Sequence, residues 1–259
     1  MTMRHFETIR SDKAGPIRRI TLDRPEVLNA MDGRMLRELR AELDDAAGDE
    51  TVRVIVVASA CERAFCAGID VGYVKDLEGL AAREVGRELH RTFLALRTID
   101  KPVIAAIDGL CLGAGLELAV SCDLMLATTR SRFGLPNVKR GIPAIVEAAL
   151  LPLAIGIQGA RELAFTGALW SADKALARGL LNAVVEPGAL EQEVSRWCAT
   201  LIEHAAVGLA TQKEIIYKWM TTDLESAIDF SINTVTLAFG SPGQREGMRS
   251  FLEKGTSRG

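Results

Sequence analysis

Two apolar, β-like runs in the first half of the chain each end in a glycine-bearing turn that leads toward a helical stretch. The turns are residues 64–70 (AFCAGID) and residues 110–117 (LCLGAGLE). Backbone amides freed at such turns can converge on one oxygen atom. The second turn also delivers a carboxylate, Glu117, beside those amides. A pair of amide donors next to a carboxylate indicates chemistry that passes through an oxyanion.

Apolar runs of strand length alternate with helical patterns in this half of the chain. Strands are predicted at 18–22, 52–58, 101–109 and 124–127, and a helix at 84–99. Strands that are apolar on both faces and separated by helices are typical of parallel strands joined by helical crossovers. The pattern therefore predicts an α/β core.

The second half of the chain changes to a helical pattern, with one predicted strand at 180–185. The helical stretches are 145–155, 159–166, 171–178, 191–203, 207–221 and 224–239. We therefore expect an α/β core over residues 1–200 and a helical region over residues 201–259. Such a helix-rich region is often the part that packs subunits together.

Charge and composition bear on the partners and the location. A net charge of −3 gives no broad basic surface, so we expect no nucleic-acid partner. The first ten residues have no apolar core, and no later apolar run approaches the roughly 18 residues that a membrane span needs. We expect a cytoplasmic protein without a membrane partner. The five cysteines form no CxxC pair, which predicts reduced and mostly buried thiols.

Two other reactive side chains are interpreted as structural. His90 lies in a charged helical segment and is predicted to be solvated. Cys66 lies in the first glycine turn, but no His stands near it in sequence to support a nucleophile. The Ser and Cys residues also lack an ordered Ser-His-Asp arrangement, so a covalent hydrolase is not expected.

Seven runs of sequence carry a family resemblance when they are taken in order. They are 20–31 (ITLDRPEVLNAM), 64–70, 101–109 (KPVIAAIDG), 113–119 (GAGLELA), 132–137 (RFGLPN), 141–143 (GIP) and 246–254 (EGMRSFLEK). Together they resemble the enoyl-CoA hydratase/isomerase, or crotonase, superfamily over nearly the whole chain. The resemblance implies a crotonase-like spiral of ββα units with a helical C-terminal region that forms trimers, often paired as hexamers. It also implies acyl-CoA thioester substrates and no metal or redox cofactor, since coenzyme A belongs to the substrate.

The resemblance implies that the backbone N–H groups of Ile69 and Ala114 form an oxyanion hole. A thioester carbonyl gains negative charge when its α-carbon is deprotonated or its β-carbon is attacked, so preset amides stabilise the enolate. Glu117 lies at an apolar helix start, where desolvation is expected to raise its pKa toward the range of a general acid or base. The structural alternative is a carboxylate stabilised by free amides and the helix dipole.

The chain departs from the family at Asn137. Hydratases of the family usually place a second Glu directly after the Pro of this loop. An amide cannot transfer protons at neutral pH, although Asn137 can hold a water or a substrate oxygen. We expect hydration or dehydration of a 2-enoyl-CoA. The alternatives are enoyl-CoA isomerisation or another single-glutamate lyase or hydrolase reaction, and a catalytically weakened acyl-CoA-binding homologue.

The resemblance also implies where coenzyme A binds, largely through backbone groups of residues 24–30 and 67–71. The substrate-binding candidates in these segments are Arg24, Val27, Ala30, Ala67, Gly68, Asp70 and Val71. Phe251 and Lys254 match positions that close over the ligand of a neighbouring subunit, and the Lys suits a ribose phosphate. A solvated cation at a helix end is the alternative for Lys254.

Overall fold

The computed structural model describes residues 6–239 and 242–256, except for the side chains of 238, 242, 250, 251 and 254–256. Within these residues the strands form two sheets. The strands are β1 (Ile9–Ala14), β2 (Ile17–Leu22), β3 (Val54–Ser59), β4 (Ala64–Cys66), β5 (Val103–Ile107), β6 (Leu110–Leu112), β7 (Leu124–Thr128), β8 (Arg132–Gly134), β9 (Leu169–Ser171) and β10 (Ala183–Val185). The larger sheet has the order β1-β2-β3-β5-β7-β10, and the smaller has the order β4-β6-β8-β9.

Helices connect these strands and fill the C-terminal part. They are α1 (Gly33–Gly48), α2 (Val71–Val74), α3 (Gly79–Thr98), α4 (Ala114–Val120), α5 (Leu151–Thr166), α6 (Ala172–Ala177), α7 (Leu190–Glu203), α8 (Ala206–Thr221), α9 (Leu224–Ala238) and α10 (Pro242–Thr256). Short 3-10 turns include Pro136–Arg140 and Glu147–Leu150. The chain is therefore an α/β fold with a helical C-terminal region, as predicted.

A repeated unit explains how the two sheets arise. In the pairs β3 and β4, β5 and β6, and β7 and β8, a strand of the larger sheet is followed by a strand of the smaller sheet. Helical structure follows each pair. Neighbouring strands of successive units pair in parallel in both sheets. This order confirms the spiral of ββα units that the resemblance implies.

The larger sheet is buried on both faces. Side chains of a strand alternate between the faces, so Val54 and Val56 pack in one core with α7. Ile55 and Val57 belong to the main core with α1 and α3 on the other face. Two-sided burial is why these strands are apolar throughout. The predicted domain boundary after residue 200 falls within α7, and the division into two regions stays a prediction.

Several elements differ from the sequence predictions. Strands β4, β6, β8 and β9 have three residues each, too few for a periodic pattern to show. Strand β1 was not predicted because it is an edge strand that buries mainly Ile9. The helices predicted at 145–155 and 159–166 are one 3-10 turn followed by α5, which Gly156 kinks at φ 72°. The strand predicted at 180–185 is only β10.

One apolar stretch is longer than the sequence pattern indicated. Residues Glu147–Thr166 are long and apolar enough to cross a membrane by length and composition alone. The core helix of a soluble protein meets the same criterion. Leu151, Ile155 and Leu163 of α5 pack in the main core, but only 28% of this stretch is buried in the single chain.

Candidate active site

A cavity of about 280 Å³ opens where the two glycine turns meet. Its polar side chains are those of Glu117, Asn137 and Arg140, while most of the wall is apolar. The apolar part comes from the segment between Val71 and Leu89 and from residues 142–146. A mostly apolar cavity with a few polar groups at one end is typical of a small-molecule site.

The two turns touch through their glycines. A Cβ on Gly68 would lie 3.0 Å from the carbonyl oxygen of Leu112 and 3.5 Å from the amide nitrogen of Ala114. Gly68 also has a φ of +112°, a conformation that L side chains rarely adopt. A Cβ on Gly115 would lie 2.3 Å from the carbonyl oxygen of Cys66, so α4 packs directly on β4. Glycine is required here for close contact as well as for turn geometry.

The backbone amides of Ile69 and Ala114 have no acceptor among the described residues. The carbonyl of Gly68 accepts a hydrogen bond from the amide of Met31, and the amide of Asp70 donates to the carbonyl of Met31. These two hydrogen bonds use the residues on either side of Ile69 and not the amide of Ile69 itself. Ala114 is the first residue of α4, where helical amides lack an intrahelical acceptor. Both residues line the cavity. Two such amides can bind an oxygen that gains negative charge.

Glu117 is buried in the cavity wall, with 2% of its surface exposed. Burial raises the pKa of Glu117 above its ordinary value, and the nearby charge of Glu147 adds a smaller rise. Hydrogen bonding from the backbone amides of Val146, Ile145 and Ala148 opposes the rise. The amide of Val146 lies 3.1 Å from Oε2. The predicted desolvation is confirmed, and a raised pKa suits a group that accepts and returns a proton.

Asn137 lies in the 3-10 turn Pro136–Arg140 and faces the second glycine turn. Its Oδ1 lies 2.9 Å from the position that a Cβ on Gly113 would occupy. Among the described residues its carboxamide has no hydrogen-bond partner. Because it lines the same cavity as Glu117, it is available to hold a water or a ligand.

The substrate-binding candidates of the two N-terminal segments divide into two sets. Three of them line the cavity: Ala67, Gly68 and Val71. The others form a connected support beside it. Arg24 donates to the carbonyl of Ala30 at 2.6 Å and pairs with Asp70 at 3.1 Å, while the amide of Ala30 donates to Val27 at 3.1 Å. The guanidinium of Arg24 therefore ties the 24–30 loop to the first glycine turn.

Phe251 and Lys254 are the remaining two candidates. Both positions fall in α10. Their side chains lie outside the described residues, so their predicted contact with a neighbouring subunit's ligand stays a prediction.

His90 is half exposed, in agreement with the predicted solvated side chain, and it also contacts a buried carboxylate. Its Nδ1 lies 2.8 Å from Oε1 of Glu147, a carboxylate that is 3% exposed. The sequence did not predict a functional role for Glu147, because this residue lies in an apolar run whose spacing predicts one face of a helix. A lone acidic residue within residues 142–155 was the available signal. The structure shows that the run begins with a 3-10 turn that directs Glu147 inward.

Cys66 is not suited to act as a nucleophile. Its side chain is buried, and burial raises the pKa of its thiol to about 12. Over residues 6–239 and 242–256, no group of three His, Cys, Asp or Glu side chains is arranged to hold a metal ion.

Comparisons with known proteins agree with this geometry. The model of the enoyl-CoA hydratase/isomerase family matches residues 12–258. The chain is 32% identical to the short-chain-enoyl-CoA hydratase of Clostridium acetobutylicum, over 94% of each protein. It is 31% identical to the crotonyl-CoA hydratase of Syntrophomonas wolfei, over 96% of each. The enoyl-CoA hydratase structure from Mycobacterium smegmatis superposes with a TM-score of 0.92 at 30% identity, covering 96% of this chain and 97% of that one. The chain therefore belongs to the enoyl-CoA hydratase/isomerase family of enzymes.

Proposed function

We propose that this enzyme adds water across the double bond of a 2-enoyl-CoA, and removes it in the reverse direction, through a thioester enolate. One observation carries the proposal: two backbone amides that have no acceptor in the described part of the chain line the same cavity as a buried glutamate. The names of the two bacterial relatives, which act on short-chain enoyl-CoA and crotonyl-CoA, support a short acyl group.

In the proposed reaction Glu117 handles the only proton that moves. Its carboxylate takes a proton from water as the water oxygen bonds to the β-carbon. The π electrons of the double bond move through the α-carbon onto the thioester oxygen, where the amides of Ile69 and Ala114 stabilise the charge. Glu117 then returns the proton to the α-carbon and the carbonyl re-forms. One water is added and the enzyme is unchanged.

Asn137 has a supporting role in this scheme. Its carboxamide can both donate to and accept from the attacking water, but it cannot exchange a proton with it. It therefore orients the water while Glu117 activates it. The position of Asn137 in the wall of the cavity that also contains Glu117 supports this division of roles.

The proposed substrate also accounts for the rest of the site. The acyl chain would lie against the apolar wall between Val71 and Leu89, and coenzyme A would bind along the segment that Arg24 ties to Asp70. Coenzyme A enters as part of the substrate. The proposed steps need no metal or redox group, because the amides carry the enolate charge and Glu117 moves the proton.

Isomerisation of a 3-enoyl-CoA is the second candidate, and Asn137 favours it. A site with a single proton-transferring group can remove the α-proton of a 3-enoyl-CoA and return it to the γ-carbon of the resulting dienolate, without water. Spectroscopy separates the two reactions. Hydration of a 2-enoyl-CoA removes the absorbance of the conjugated thioester, whereas isomerisation of a 3-enoyl-CoA creates it. We expect the enzyme to turn over crotonyl-CoA and branched 2-enoyl-CoAs. If it turns over 3-enoyl-CoAs but none of these 2-enoyl-CoAs, the second proposal replaces the first.

Replacement of Asn137 by Glu tests whether the site is built for hydration with one carboxylate. We expect no large gain in kcat with a 2-enoyl-CoA, because a second carboxylate in this cavity raises the pKa of Glu117 by like-charge repulsion. The measurement is kcat against pH for the wild type and Asn137→Glu. A rate increase of about tenfold or more would mean that natural hydration is not the reaction of this site.

We also propose that the chain assembles into homotrimers or hexamers. Large apolar side chains on the last helices are exposed in the single chain, among them Trp219 at 55%, Leu224 at 73% and Leu237 at 85%. A monomer rarely leaves so many exposed on neighbouring helices. Light scattering of the purified chain is expected to give three or six times 28.0 kDa. A monomeric mass at micromolar concentration would overturn the assembly.

A cytoplasmic location is the last part of the proposal. The five cysteines are buried and unpaired, which supports a reducing compartment.

A further inference from the structure

We infer that Glu147 is a positioning residue for Glu117. The carboxylate of Glu147 anchors the segment 145–148 to α3, and backbone groups of that segment hold the Glu117 carboxylate in turn. The inference deepens the proposed function, because it takes the acid–base role of Glu117 as its starting point. Glu147 does not line the cavity, so it would act through Glu117 and not on the substrate.

The side chain of Glu147 connects two elements. It leaves the 3-10 turn Glu147–Leu150 and is 3% exposed. Its Oε1 lies 2.8 Å from Nδ1 of His90 and 3.3 Å from Nη2 of Arg97, which are about two helical turns apart on α3. Arg97 is itself fixed by the ring of Tyr217 from α8, 5.5 Å from the guanidinium carbon. Two donors on one long helix therefore hold this turn in place.

The same turn holds Glu117. The amide of Val146, directly before Glu147, donates to Oε2 of Glu117 at 3.1 Å. The backbone groups of Ile145 and Ala148 also favour the ionised carboxyl group and lower its pKa. A shift of the turn would therefore move the donors that fix the direction of the Glu117 carboxylate.

The bonding of Glu147 is incomplete, which argues against a purely stabilising role. Within the described residues its Oε2 has no hydrogen-bond partner, and neither has Nε of Arg97, although both atoms are buried. A buried ion pair with unsatisfied atoms is often no more stable than apolar side chains of similar volume. An apolar residue would fit the surrounding run of Ile145, Val146 and Ala148. Departures of this kind are expected where function constrains the residue.

Glu147 also acts on Glu117 through its charge. The charged and titratable groups that face it are His90 and Arg97 from α3 and Glu117 from α4, with Tyr217 of α8 beyond Arg97. Arg97 pairs with Glu147 at 3.3 Å. The negative charge of Glu147 then disfavours ionisation of Glu117, and this contributes to the raised pKa of Glu117.

Two substitutions separate charge from anchoring because they shift Glu117 in opposite directions. Glu147→Gln keeps an acceptor for His90 and Arg97 but removes the charge, so the pKa of Glu117 is expected to fall. His90→Ala removes one anchor of the turn whose amides favour the ionised form of Glu117, so the pKa of Glu117 is expected to rise. In assays, kcat is expected to fall severalfold in His90→Ala with little change in KM.

Matched controls come from elsewhere in the chain. Glu42 forms a buried pair with Arg18 at 2.6 Å, with 3% and 10% of the side chains exposed, so Glu42→Gln removes the charge from a comparable pair away from the cavity. His204, exposed at the end of α7, serves as the control for His90. Neither control variant is expected to change the titration of Glu117 or the pH profile of kcat.

The decisive measurement is the titration of the Glu117 carboxyl by ¹³C NMR in protein labelled at glutamate, with Glu117→Gln identifying its signal. This readout does not depend on turnover. If no enoyl-CoA is turned over, the proposed function fails while the titration still decides the role of Glu147. Identical Glu117 titrations in the wild type and in both folded variants would overturn the inference. If Glu147→Gln does not fold, His90→Ala alone decides it.

Discussion

Glu117→Gln is expected to lower kcat for hydration of a 2-enoyl-CoA by about a hundred- to ten-thousand-fold, the usual contribution of a positioned acid–base group. Gln has nearly the same shape and still offers an oxygen to the amide of Val146, but it cannot take a proton from water. KM is expected to change little, because the apolar wall and the amides of Ile69 and Ala114 remain. Stopped-flow or steady-state assays with crotonyl-CoA measure the effect.

The same variant makes a prediction about stability that checks the fold. The pKa of Glu117 is raised in the folded state, so folding favours the protonated form. The folded state therefore loses stability as pH rises from the ordinary pKa of a glutamate through the raised value. Gln carries no charge, so Glu117→Gln is expected to match or exceed the wild-type Tm at neutral pH. If the Tm of the variant is lowered, its loss of activity is attributed to a damaged fold. Full activity in a stable variant would exclude Glu117 as the acid–base group.

Gly68→Ala is expected to lower kcat by about a hundredfold, because it separates the two amides that stabilise the enolate. The added Cβ would lie 3.0 Å from the carbonyl of Leu112 and 3.5 Å from the amide nitrogen of Ala114. Both contacts are to backbone, which cannot rotate away as a side chain can. The second turn must therefore shift relative to Ile69. The measurement is kcat together with the affinity for a non-reactive acyl-CoA, which is expected to fall less.

Gly15→Ala is the control for backbone strain. Gly15 also has a positive φ, +58°, but a Cβ there would meet nothing within 4 Å. It lies in the hairpin between β1 and β2, away from the cavity. A modest loss of stability with unchanged kcat is expected. Equal losses of kcat in both variants would mean that strain, and not the contact between the turns, explains the effect.

Much of the fold was predictable because the informative patterns are local. Buried strands such as β3 and β5 are recognisable because both of their faces are covered, which leaves an apolar run with no alternation. The three-residue strands of the smaller sheet were not predictable. Their pairing depends on the parallel order of β4, β6 and β8, which no periodic pattern of three residues can encode.

The candidate site shows the same division. The apolar neighbours of Glu117 in sequence predicted its desolvation, and the structure confirms its burial. The contacts of Glu147 with His90 and Arg97 could not be predicted from the sequence. They join α3 to a turn distant in the chain, whose sequence pattern predicts a helix. The ion pair of Arg24 with Asp70 could not be predicted for the same reason, since ion pairs between distant segments leave no periodic pattern in the sequence.

The sequence by itself determined which chemical groups are present: two glycine turns that free backbone amides, a carboxylate in an apolar setting, and the carboxamide of Asn137 in the loop after Pro136. Only the tertiary structure decided which of these groups meet. Gly68 reaches the backbone of Ala114 because β4 and β6 are parallel neighbours and α4 packs on β4 without a side chain between them. Contacts of this kind depend on the packing of elements far apart in the chain, and local sequence patterns carry no record of them.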